Sequence, residues 1–111
     1  MSANGFVVYY GLRWDVPSAD REQLDLLEAR RDPRQLAARQ HKLKVWFGRA
    51  DEHTFFVLFG AQVGNFGREN LAQLHLSDDE AARIVSETRE RLTAAGFTDE
   101  PSWHFQFEPD Q

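Results

Sequence analysis

The chain contains no cysteine, which excludes a disulfide scaffold, thiol catalysis, Cys-ligated zinc and iron–sulfur chemistry. It has no apolar run near the ~20 residues of a membrane span, and Met1–Gly5 shows neither a basic nor an apolar leader pattern. The default expectation is therefore a cytoplasmic address and no membrane. Four prolines and seven glycines in 111 residues leave no Pro- or Gly-rich linker, and no repeat or low-complexity tract occurs. Residues 1–111 are expected to form a single domain. The outlier is aromatic content, with nine Phe, three Trp and two Tyr.

Residues 5–16 are rich in β-branched and aromatic side chains between Gly5 and Pro17, and predict a strand. Ser18 or Asp20 can cap a helix whose Leu24, Leu27 and Ala29 share an apolar flank. Asp32-Pro33-Arg34-Gln35 writes a second helix start, with Asp32 as N-cap, Pro33 at the first position and Gln35 as capping-box partner. The helical stretch should break near Arg31–Pro33. Lys44–Arg49 and Thr54–Val63 predict two strands joined by the short Asp51-Glu52-His53 turn. Gly64–Asn70 is expected to be loop, and the alternation in 71–76 fits a short extra strand. Ser77–Glu80 is a full capping box before a helix that buries Ala81, Ile84, Val85, Thr88, Leu92 and Ala95. Gly96 supplies the stop, and Trp103, Phe105 and Phe107 alternate along a closing strand.

The order strand, broken helix, strand, strand, helix, strand resembles the ferredoxin-like βαββαβ sandwich, an α+β fold with an antiparallel sheet and helices on one face. That resemblance lies in topology alone and implies no chemistry. Strand parity then sorts side chains onto two faces. Phe6, Val8, Tyr10, Leu12, Trp14, Val45, Phe47, Phe55, Val57, Phe59, Trp103, Phe105 and Phe107 are expected to face the helices as core. The other face would carry Val7, Tyr9, Arg13, Trp46, Phe56, Leu58 and His104. If open, it forms an apolar patch of the kind that marks an interface. A cover formed by residues 63–76 is the competing arrangement.

Candidates for chemistry are thin. His41, His53, His75 and His104 show no metal-ligand spacing, so no metal or cofactor is expected. Only His104 stands near polar neighbours that would suit a site. Asp51-Glu52-His53 fits a solvated turn, Ser18 and Ser77 fit caps, and the glycines form no phosphate cradle. Between Arg30 and Arg49 stand seven basic residues and one acid, a local +6 in a chain of net charge -5. Their expected fate is surface pairing with the acids of Asp20–Glu28 or of the last helix. Nucleic acid is not expected: TFFVLFGAQV lacks the RNP1 pattern, and a pI near 5.3 has the wrong sign for phosphate binding.

The leading expectation is a small interaction module that self-associates, or binds a protein partner, through Tyr9, Arg13, Trp46, Phe56, Leu58 and His104. The alternative is a cofactor-free enzyme resembling dimeric α+β-barrel oxygenases and isomerases in fold only. It would take a small-molecule ligand in an aromatic pocket.

Overall fold

A computed structural model describes residues 5–67 and 73–108. The order is β1 (Gly5–Pro17), α1 (Arg21–Glu28), α2 (Pro33–Gln40), β2 (Lys44–Arg49), β3 (Thr54–Phe66), α3 (Asp78–Ala94) and β4 (Ser102–Glu108). The strands form one sheet in the order β2-β3-β1-β4, antiparallel throughout. The α+β class and the helical break are as expected. Residues 73–77 form no strand, and 71 and 72 of the expected extra strand lie outside the described residues. The loop expected from Gly64 begins later because β3 runs to Phe66; its residues 68–70 also lie outside the described residues.

Local chemistry sets the helix boundaries. The Asp20 side chain accepts from the Gln23 N–H at the start of α1. Full capping boxes open α2 at Asp32 and Gln35 and α3 at Ser77 and Glu80, and each satisfies orphan donors of a first turn. The Ser77 N–H and hydroxyl bonds hold the Glu80 carboxyl below the usual range. At the far ends, Arg30 N–H donates to Leu27 O and Arg31 N–H to Leu26 O, while Lys42 N–H donates to Arg39 O and Leu43 N–H to Ala38 O. Both sets are Schellman closures, which favour glycine at the left-handed position. Here Arg30 (φ 60°) and Lys42 (φ 62°) occupy it, at a conformational cost of about 1–2 kcal/mol each. A cation at a helix C-terminus recovers about 0.3–1 kcal/mol of that.

The α1–α2 joint is polar and buried. Asp32 accepts from Arg34 N–H at 2.8 Å and from Gln23 Nε2 at 2.7 Å. Gln35 accepts from Asp32 N–H and donates to Leu27 O. This network ties the two short helices to each other.

The main core lies between helices and sheet. It joins Leu24 and Leu27 of α1, Ala38 of α2, Leu43 and Leu92 of α3 to Leu12, Val16, Val57 and Phe59. Phe97, whose N–H bonds to Leu92 O, packs its ring against Phe59 at 5.4 Å.

Gly11 and Gly60 face each other at the centre of the β1–β3 ladder, both at positive φ (158° and 152°). A Cβ on Gly11 would sit 2.0 Å from Phe59 O, and one on Gly60 2.2 Å from Tyr10 O. The two backbones close on each other there as only paired glycines permit, and the sheet bends. The bend is visible in Arg13, whose Nη1 donates to Gln106 Oε1. Gln106 pairs with Val7, six positions from Arg13. In a flat strand that separation is about 20 Å, beyond the combined reach of the two side chains. The face away from the helices is therefore concave.

Gly11→Ala should destabilise the fold much more than Gly96→Ala in urea unfolding. Gly96 also has positive φ, but its added Cβ meets nothing within 4 Å, so that change carries only the backbone cost of about 1–2 kcal/mol. Equal losses would show that the Gly11–Gly60 approach is not limiting.

Candidate functional site

The sequence-predicted surface is not open. Tyr9 is 1% exposed and Phe56 and Leu58 are 0%, and with Val7 they form a second core cluster against which Trp46 and Ala50 pack. This corrects the expectation of a solvent-facing apolar patch: these side chains are buried and pack on one another and on Trp46 and Ala50. Residues 68–72 of the competing cover, 63–76, lie outside the described residues.

The polar members sit around this cluster. Arg13 holds its guanidinium over the Phe56 ring, 5.3 Å from its centre, and donates from Nε to Asp15 at 2.8 Å and from Nη1 to Gln106. It thus ties β1 to β4 across the concavity. His104, opposite Tyr9 in the β1–β4 register, brings Nε2 within 3.1 Å of Gly11 O and 3.3 Å of Ser102 Oγ. A carbonyl can only accept, so the neutral ring carries its proton on Nε2. Burial, and then the Arg13 charge, lower the His104 pKa, while the Gly11 bond opposes them. The Tyr9 hydroxyl is buried and has no hydrogen-bond partner among the described residues. Burial alone raises its pKa far above the usual phenol value.

The exposed aromatics are elsewhere, and the sequence placed them in the core. Phe105 is 70% and Phe107 51% exposed, with Phe6 partly exposed beside them. Parity does put them on the helix side of the sheet, since Val8 pairs with Phe105 and Phe6 with Phe107. The helices are too short to reach them. An eight-residue helix is about 12 Å long and the 17-residue α3 about 25 Å, against about 43 Å for the 13-residue β1. α3 rests mainly on β1 and β3, leaving the Gly5 end of β1 and most of β4 without a helical roof. Phe66 stacks on Phe6 at 4.8 Å and extends the band. The signal available in the sequence was this length mismatch, not the alternation.

The basic segment also departs from expectation. Among the described residues the ion pairs are Arg13–Asp15 and Arg89–Glu100. None involves Arg30, Arg31, Arg34, Arg39, Lys42 or Lys44. Arg34 lies instead over the Trp14 ring at 4.0 Å. The Asp51-Glu52-His53 turn is exposed, and Asp51 accepts from the His53 N–H at 2.7 Å, a local turn bond with no catalytic geometry. His41, His53 and His75 lie on separate segments.

Tyr9→Phe should leave stability in denaturant unchanged or raise it by up to about 1–3 kcal/mol, because it deletes a desolvated hydroxyl with no bond to lose. A clear loss would mean that the hydroxyl is bonded after all. His104, neutral in the fold and with a lowered pKa, contributes stability above its unfolded value of about 6.5 that is lost as pH falls below it. His104→Gln should therefore flatten the decline in melting temperature between pH 7.5 and 5.5; an unchanged slope would assign the decline to other groups. No protein-family model matches the chain, and neither a curated protein nor a solved structure does.

Proposed function

We propose that this chain is a small, non-enzymatic interaction module of the reducing cytoplasm, which self-associates through the outer edge of β4. The observation that carries this is Phe105, 70% exposed on an edge strand. An edge strand offers unpaired backbone N–H and C=O groups and is a template for a further strand. Large aromatics beside such an edge add the apolar anchor that interfaces use.

A second copy is the favoured occupant because β4 is nearly self-complementary. In an antiparallel pairing centred on Phe105, Trp103 meets Phe107 and Phe105 meets its own copy on one face, while His104 meets Gln106 on the other. Two-fold symmetry demands such a self-matching surface. The order β2-β3-β1-β4, with β3 between β1 and β2, supports reading the fold as ferredoxin-like. In that architecture two sheets can join edge to edge.

The enzyme alternative draws on His104 and the unpartnered Tyr9 hydroxyl alone. The enclosed packing of Val7, Tyr9, Phe56 and Leu58 favours the module.

Light scattering over a concentration series should give a dimer mass. Phe105→Glu should return it to the monomer, whereas Leu36→Glu, at a 48% exposed position on α2, should leave it unchanged. A monomer at every concentration, a dimer indifferent to Phe105→Glu, or equal disruption by Leu36→Glu would each overturn the proposal. A heterologous protein captured only through an intact Phe105, with the chain itself monomeric, would replace the second copy with a partner.

A further inference from the structure

A cavity of about 320 Å³ opens between α1, α2 and β2, lined by Leu27, Glu28, Arg30, Gln35, Arg39, Val45 and Phe47. We propose that it is a binding site for a small oxyanion, a carboxylate or phosphate carried on an apolar body, held between Arg30 and Arg39. It lies at the opposite sheet edge from β4, which is consistent with a role separate from self-association.

Four observations converge on this site. Its volume falls at the lower end of the range for small-molecule sites, roughly 300–1,000 Å³. Neither Arg30 nor Arg39 has an ion pair among the described residues, although Glu28 lines the same cavity. Two guanidinium groups offer forked donor pairs matched to a carboxylate or phosphate. Leu27, Val45 and Phe47 supply the apolar wall, and the Glu28 carboxylate would accept from a hydroxyl or amine on the ligand.

The backbone adds a positional argument. Arg30 stands at a left-handed helix terminus (φ 60°) where glycine would be least strained. Substituting glycine would relax the backbone while removing one arm of the site. The cavity wall is preorganised, because Gln35 bonds both Asp32 N–H and Leu27 O, so little ordering is needed on binding.

The test is titration of the full chain with benzoate, phenyl phosphate and neutral benzyl alcohol, followed by nuclear magnetic resonance. At least one anion should shift Phe47 and Val45 resonances saturably, and benzyl alcohol should not; which anion binds more tightly identifies the headgroup. Arg39→Gln and Arg30→Gly should each weaken that binding by about 10-fold or more. Arg30→Gly should melt no lower than the parent, separating lost binding from lost folding. Lys44→Gln, on the other face of β2 from Val45, should bind like the parent. Absence of anion binding, equal binding of benzyl alcohol, unchanged affinity in the arginine variants, or an equal loss in Lys44→Gln would overturn the proposal.

Discussion

The close approach of Gly11 and Gly60 governs the rest of the structure. Two 13-residue strands pair along nearly their whole length, and such a ribbon left straight would need cover on both faces for about 40 Å. Three short helices cannot provide that. Removing both side chains at one rung lets the backbones touch, and the ribbon folds toward the face that lacks helices. Val7 and Tyr9 from one half then meet Phe56 and Leu58 from the other, and Arg13 spans the fold to Gln106. One constraint therefore closes a second core and sets the environments of Tyr9 and His104.

The parts legible in the sequence are those decided within a few residues. Ser77 and Glu80, or Asp32 and Gln35, lie on one helical turn, so the caps follow from spacing. Strand alternation likewise separates the members of the two core clusters. What alternation cannot say is whether a side receives cover. That depends on the lengths of other elements, as with Phe105 and Phe107, or on curvature, as with Tyr9 and Phe56. The bend itself was hidden because it needs Gly11 and Gly60 in the same rung, and register across the chain is a tertiary property. Gly60 taken alone is one glycine inside the expected Thr54–Val63 strand.

The arginines illustrate the same division. Their crowding between Arg30 and Arg49 is plain in one dimension, yet their partners are set in three. Among the described residues the acids of α1 form no ion pair with Arg30, Arg31, Arg34 or Arg39. Instead Arg34 lies over Trp14, and Arg30 and Arg39 line the cavity against β2. Charge that surface pairing would have neutralised remains available at one edge of the sheet, while the aromatic surplus gathers at the other.

The β1–β4 pairing joins the first and last elements of the described chain. Gly5 pairs with Glu108, so β1 spends chain synthesis with one edge vacant while β3 and the helices are made. Closing so distant a pair is entropically tolerable but slow, because the intervening loop must be ordered first. Until β4 docks, Val8 and Tyr10 lack neighbours on one flank, and the growing chain exposes a sticky strand that the finished fold conceals.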